Sequence, residues 1–437
     1  MKEEMVKNIF QLIGLIMFAC CMPDYVPAQT PTPPAGQTAL PPSPLPDVLT
    51  FEAATERFLQ RNLAVEAARL EIGVAAAERA ATNLRPRPGI TLTGENLGVS
   101  NRTPFNRLYE VGAIITQPIE LGGRAERRRE VAERTVALAE MRLTNVMQRR
   151  LLDLRRGYYE AVLARANLGI ARENRASFEE LVRLNTVRVK EGDVAEGELI
   201  RVRLELIKLD GGVAASSLAY EQAKIRLLEL LGESDYAHAA TLDLRGPLTY
   251  APVTLDLAQL REAALARRPE LKIAESEQAL TAAILRLEES RGKGEITPFV
   301  GYKRVGIDDT LAVGVTIPLP FGNRNQGGIA RAAAQQQVVA TNLQLTRNRV
   351  LAEVEAAYLA YLTARAQVQA YEAGPLDQSQ ESVTVVLAAY REGVTPLINL
   401  IDAQRTRAEV RGNYLKALFD YRNSLFTLEQ ATGTEIK

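Results

Sequence analysis

Few side chains in this 437-residue chain could carry chemistry. It has one histidine, His238, no tryptophan, and two cysteines, Cys20 and Cys21, side by side near the amino terminus. A zinc cluster needs about four Cys or His ligands, which the chain does not hold. A serine nucleophile with a histidine base would have to use His238, and that residue lies in ESDYAHAAT, between periodic segments, where a loop histidine is the ordinary reading. The glycine pairs at 122, 211 and 327 belong to no phosphate-cradling loop, because neither G-x-x-x-x-G-K-[ST] nor G-x-G-x-x-G follows a strand-like run. Lys plus Arg and Asp plus Glu both number 53, and no basic run is interleaved with aromatics, so the electrostatic footprint of a nucleic-acid binder is missing. This inventory predicts no enzyme, no cofactor, no dedicated metal site and no nucleic-acid partner.

The cysteines have one chemistry open to them, lipidation. Lys2 and Lys7 precede the apolar run at 9 to 19, which is shorter than the roughly 20 residues a spanning helix needs and reads as an export signal. Two routes of processing stay open. Cleavage after Ala28, with Val26 and Ala28 as the small-residue pattern, makes 1 to 28 a signal peptide; cleavage before Cys20 or Cys21 leaves a lipidated cysteine. MFAC and FACC match a lipobox poorly, and Glu3 and Glu4 dilute the charge of the leader. The proline-rich stretch at 29 to 47 reads as an extended linker without a core of its own.

No later segment is apolar for about 20 residues, so a membrane crossing would have to use strands. In LYEVGAIITQ (108 to 117), Tyr109, Val111, Ala113 and Ile115 share one face against Glu110, Gly112, Ile114 and Thr116. In LAVGVTI (311 to 317), Leu311, Val313, Val315 and Ile317 oppose Ala312, Gly314 and Thr316. This period of two predicts strands with one apolar face, suited either to lipid or to the side of a soluble core. ITLTGENLGV (90 to 99) and ITPFVGYKRV (296 to 305) are the candidate hairpin partners, the second demoted by Pro298.

The chain is also written twice. TQPIELGGR (116 to 124) returns as TIPLPFGNR (316 to 324), residues 49 to 69 match 255 to 275 at an offset of 206, and the stretches ending at Gly232 and Gly433 match at 201. A long internal period marks one structural unit used repeatedly. Leu199, Val202, Leu206, Leu209 and Val213 begin a 3,4 spacing that runs on to Leu227 and Leu230, and Val350, Val354, Ala357, Tyr361, Ala364 and Val368 keep it in the second copy. Such spacing is a coiled-coil seam. The first repeat is expected over 48–246, with a hairpin at about 90–117 and helices at about 49–85 and 125–232. The second is expected over 247–433, with a hairpin at about 296–317 and helices at about 255–290 and 325–432, leaving a tail at 434–437. From Ala125 towards Lys190 one helix would run about 100 Å at 1.5 Å per residue, with Gly157, Gly169 and the stretch near Arg172 as candidate interruptions. The expected fold is mainly α, a long coiled-coil helical barrel, with a transmembrane β-barrel to which each chain contributes four strands. Membrane barrels begin at about eight strands, so closure needs more than one chain; two would give eight and three twelve.

The order of hairpin, long helix pair, hairpin, long helix pair, with the joints TQPIELGGR and TIPLPFGNR, resembles the TolC-type outer-membrane efflux family from about Pro46 to Gly433. PLPFGNRNQGGIARA (318 to 332) looks like the heavy-metal-efflux subgroup. The resemblance implies a homotrimer, with a twelve-stranded barrel in the lipid of the cell outer membrane and a twelve-helix tube through the periplasm. It would be a passive exit duct for cargo handed on by a periplasmic adaptor and an inner-membrane pump of the RND type. The periplasmic tips would be 189 to 203 and 390 to 405, with Gly192 and Gly393 at the turns where the adaptor docks. Asp402 matches an acidic position pointing into the aperture, and Tyr390 a tyrosine that helps close it. Asn399 replaces a second acidic residue and Thr395 an arginine, so the closing network is altered, with a latch that is either weaker or built differently. In the first copy Glu198 and Arg201 stand where Asn399 and Asp402 stand in the second. The plain alternative for Asp402 is a solvated helix residue. The alternative for the chain is a periplasmic coiled-coil adaptor or assembly protein, although an adaptor would carry one helical hairpin between lipoyl-like segments.

Overall fold

The computed structural model describes residues 46–96, 109–306, 308–319 and 321–436. Strand β1 (Val48–Leu49) leads into helix α1 (Phe51–Arg61), whose first orphaned amides are met by Thr50, its Oγ1 accepting from Ala53 N at 3.3 Å. A single helix was expected from about 49 to 85. Instead the chain turns at Asn62 and resumes as α2 (Leu63–Thr82). The Asn62 side chain explains the elbow: Oδ1 accepts from the Ala64 and Val65 amides at 3.1 Å, and Nδ2 donates to Leu230 O at 2.9 Å.

The second copy reaches the same shape by other chemistry. Between α5 (Leu257–Arg267) and α6 (Pro269–Arg291), Arg268 is pushed to extended backbone by the proline that follows it. Its buried guanidinium donates to Ala431 O at 3.3 Å and pairs with Glu270 at 3.0 Å and with Glu353. Asn62 and Arg268 are 206 residues apart, Leu230 and Ala431 are 201 apart, and each elbow holds the end of its copy's last long helix. Gly232 and Gly433 follow those ends with φ of 75° and 67°. A Cβ at Gly232 would stand 2.4 Å from Arg61 O, and one at Gly433 3.1 Å from Arg267 O.

The long helices are α3 (Arg124–Glu191), α4 (Glu196–Leu230), α7 (Gln326–Glu372), α8 (Pro375–Arg391) and α9 (Leu397–Thr432). Helix α3 runs 68 residues without a break through Gly157, Gly169 and Arg172. The interruption expected near Arg172 lies instead at the equivalent point of the second copy, where Gly374 takes φ 149° and Pro375 starts α8. Val350, Val354, Ala357, Tyr361, Ala364 and Val368 are all buried, as are Leu199, Val202 and Leu227 in the first copy. Midway along, Tyr158 Oη donates to Arg245 O at 2.6 Å and Tyr421 Oη to Ala251 O at 2.7 Å. These bonds strap the segment linking the copies, with β5 (Asp243–Leu244) pairing parallel to β1, onto the helices.

Beyond the helices lies an antiparallel sheet in the order β2 (Gly89–Glu95), β3 (Glu110–Thr116), β6 (Glu295–Val305), β7 (Asp308–Thr316). A short β4 (Ile119–Glu120) prolongs β3 along β6 after the break at Gln117 and Pro118. Pro298 therefore sits in a central strand, contrary to its demotion. In an antiparallel strand the N–H and C=O of one residue point the same way. Its missing donor faces that break, where its carbonyl alone is used, by Gln117 N at 3.1 Å.

The elbows yield a paired prediction. Gly232→Ala should cost more than about 2 kcal/mol, from the left-handed backbone and the collision with Arg61 O. Gly211→Ala, in the middle of α4 with no atom within 4 Å of a new Cβ, should be neutral or stabilise by about 0.5 kcal/mol or more. Thermal unfolding followed by circular dichroism at 222 nm separates them.

Candidate functional site

The strand register sorts side chains onto two faces. Directly paired residues share a face, so Ile90, Leu92, Ala113, Ile115, Val300, Val313 and Val315 lie together. Leu92 and Val313 are 74% and 72% exposed, although both are large and apolar. The other face carries Thr91, Thr93, Glu95, Glu110, Lys303 and Thr316, with Lys303 paired to Glu110 and lying 3.6 Å from Glu95. One face is thus suited to lipid and the opposite one to water. Tyr302, on the apolar face towards its far end, is 41% exposed and supplies the amphipathic ring expected at a membrane boundary. Among the described residues no helix is long and apolar enough to cross a membrane.

The tips lie at the opposite end. Helix α3 closes at Gly192 (φ 84°) and α8 near Gly393 (φ 71°). In both turns an amide past the glycine reaches back to the helix, Asp193 N to Arg188 O and Val394 N to Ala389 O, each at 2.9 Å. This is the glycine C-cap in which left-handed backbone satisfies the last carbonyls. No atom lies within 4 Å of a Cβ built on either glycine, so backbone sign, not space, sets the requirement.

Tyr390 is the centre of the tip. It is 2% exposed, among Phe178, Leu181, Val202, Leu397 and Leu400. Its hydroxyl is shared between Asn185 Oδ1 and Glu198 Oε2, the latter at 3.3 Å. Arg188 donates to its carbonyl at 3.0 Å and lies over its ring, 5.1 Å from the centroid. Burial, and then the Glu198 carboxylate, push the phenol above its ordinary value, so it stays a donor. One side chain thereby joins α3, α4 and α8.

Asp402 is exposed on α9 with no partner among the described residues. Asn399 donates to Thr395 Oγ1 at 2.9 Å, one turn earlier. Neither touches the Tyr390 cluster. A second tie lies one turn beyond Asp402, where Arg405 meets Glu205 of α4 at 2.6 Å and Lys208 meets it at 2.9 Å. Burial raises Glu205, but the hydrogen bonds from Arg405 and Lys208 outweigh it and hold the carboxyl below its ordinary value. Cys20 and Cys21 lie outside the described residues.

A family model described as outer membrane efflux protein matches residues 54–233 and 260–434, one match for each copy. The chain belongs to the outer membrane efflux protein family. Its relatives include the cobalt-zinc-cadmium resistance protein CzcC of Cupriavidus metallidurans, 24% identical over 98% of this chain and 100% of that one. The nickel and cobalt resistance protein CnrC of the same organism is 28% identical over 71% of this chain and 74% of the relative. The fold is that of the Campylobacter jejuni CmeC outer membrane channel, with TM-score 0.74, 16% identity, and coverage of 88% of this chain and 85% of that one. CusC gives TM-score 0.72 and 18% identity, covering 88% and 92%. Family and fold are those of channels and not of enzymes.

For an efflux protein the tip residues divide into two groups. Tyr390 is a buried cross-link, whereas Asp402 and Asn399 are surface positions. The sequence reading missed Asn185, Arg188, Glu205 and Arg405. Asn185 carried a signal, a polar residue on the 3,4 spacing of Phe178 and Leu181; the two arginines had none, because guanidinium reach is set by packing.

Two predictions follow from the tip. Tyr390→Phe keeps the ring under Arg188 but leaves Asn185 Oδ1 buried without its donor, at a cost of about 1–3 kcal/mol; faster hydrogen exchange confined to 181–206 and 386–401 would register it. The Glu205 tie should be complete above the unfolded carboxylate value of about 4.3 and lost as pH falls through the lower folded value. A fluorophore on Arg201→Cys should therefore gain mobility below about pH 4, with the acid-induced step missing in Glu205→Gln.

Proposed function

We propose that three copies of this chain close a twelve-stranded barrel in the outer membrane and a twelve-helix tube through the periplasm. The assembly is a passive exit duct. An inner-membrane pump of the RND type and a periplasmic adaptor deliver its cargo, and the adaptor docks at the turns around Gly192 and Gly393. One observation carries this reading: β2 and β7 are each paired on one side only, and the sheet between them exposes an apolar face. In lipid each unsatisfied backbone group costs several kcal/mol, which closure by neighbouring chains removes.

The cargo is a metal cation. The resistance proteins to which the chain is similar are named for cobalt, zinc, cadmium and nickel, and threefold symmetry turns the exposed Asp402 into a ring of three carboxylates. Such a ring concentrates cations and repels anions. Planar-bilayer recording of the purified protein is the test. Discrete conductance with cation preference is expected, and Asp402→Ala should reduce that preference and the block by divalent cations. No conductance, even with the tips released by Tyr390→Phe, would refute the duct, and unchanged selectivity in Asp402→Ala would remove that residue from the aperture.

A further inference from the structure

One face of the helix layer is covered and the other is bare. Tyr158 of α3 and Tyr421 of α9 reach the segment linking the copies at Arg245 O and Ala251 O, and Lys224 of α4 reaches it at Leu242 O, 3.3 Å away. Residues two apart on a helix point about 200° from one another. Arg156, two before Tyr158, and Asn423, two after Tyr421, therefore face the bare side. In a duct the covered face is the outer one, because three copies of the linking segment inside the tube would obstruct it. Arg156 and Asn423 then look into the lumen.

Both residues border a groove of about 560 Å³ between α3 and α9. Leu163 and Phe419 give it an apolar wall, and Gly412 leaves it open, with no atom within 4 Å of a Cβ built there. Two charges at its rim are matched, Lys416 by Asp420 at 2.7 Å and Glu160 by Arg226 at 2.7 Å. Arg156 is not matched. Its Nε donates to Asn423 Oδ1 and its Nη2 to Thr427 Oγ1, both at 2.8 Å, and among the described residues it makes no salt bridge. Neutral acceptors thus fix the guanidinium without cancelling its charge.

A fixed guanidinium beside an apolar wall suits an oxyanion carried on an apolar body. The planar fork matches carboxylate geometry, and the volume lies in the range of small-molecule sites, roughly 300–1,000 Å³. We infer that the groove binds an organic carboxylate, its oxygens on Arg156 and its apolar part against Leu163 and Phe419. Threefold symmetry would line the lumen with three such sites near the middle of α3. The inference rests on the duct reading and adds a class of cargo beyond metal cations.

The chain has no tryptophan, so full-length Phe419→Trp places a single reporter in the groove. 4-Bromobenzoate should quench it saturably, and uncharged 4-bromobenzamide should bind about tenfold more weakly for want of the charge-assisted bond. Adding Arg156→Gln should bring the acid to the affinity of the amide. Gly412→Leu fills the groove with a better helix former and should abolish saturable quenching by both, with circular dichroism unchanged. In planar bilayers, an anionic thiol reagent on Asn167→Cys, which also lines the groove, should lower single-channel current, and 4-bromobenzoate should slow that reaction. Equal affinity for acid and amide, or a preference that survives Arg156→Gln, would overturn the site and leave the duct standing. A site that passes those tests while modified Asn167→Cys conducts normally lies outside the lumen, which overturns the inference. Absence of any conductance would overturn the duct and the lumenal placement together.

Discussion

A β-sheet with two open edges and an apolar outer face has no comfortable place in water or in lipid. In water Leu92, Val313 and their neighbours stay exposed; in lipid the unpaired N–H and C=O groups along β2 and β7 go unsatisfied at several kcal/mol each. Neither problem can be solved by rearranging one chain, because β3 and β6 already occupy the centre of the sheet. Joining edges with other copies removes both costs at once. The rest of the molecule follows from that need: strands must hand over to helices at one common level, and the helices must stay parallel for about 100 Å to continue the same tube.

The internal duplication meets the second requirement twice with one plan. Each copy bends at an elbow and lets the elbow residue bind a carbonyl at the end of the copy's last long helix, Leu230 O in one and Ala431 O in the other. An amide does this in the first copy and a buried guanidinium in the second. The guanidinium reaches its carbonyl at 3.3 Å against 2.9 Å for the amide, and it brings a charge that must be answered, which Glu270 and Glu353 do. Desolvation raises Glu270, and the Arg268 bond and charge more than offset it.

Alternation and the 3,4 seam made the sheet faces and the helix cores legible in the sequence, since both depend on which side of an element is apolar. Events settled by a single residue's backbone or reach were not. Asn62 does not announce that it caps one helix while binding another. None of the candidate interruptions at Gly157, Gly169 and Arg172 breaks its helix, because polarity near a helix surface costs little, whereas Gly374 followed by Pro375 does end one in the second copy. Pro298 was misjudged because the rule against proline in central strands assumes an unbroken neighbour, and β3 breaks opposite it. At the tips Tyr390, Gly192 and Gly393 could be picked out by position, but the partners of Tyr390 could not.

Those partners bear on how such a tube would stay shut. The groups that hold the tip, Tyr390, Asn185 and Arg188, are buried or bonded within one chain, and the Arg405–Glu205 tie stands apart from them. Asp402 takes part in none of this and is free to face solvent. Releasing a buried donor or acceptor costs about 1–3 kcal/mol, and a trimer would have three such clusters to release. A ligand or docking protein that rearranged the tip would have to bind the rearranged form more tightly by a comparable amount. The bonds that tie Tyr390 to Asn185 and Arg188 all lie within one chain, so any latch built from them would be repeated once per tip rather than shared between chains, and Asp402 stands outside it.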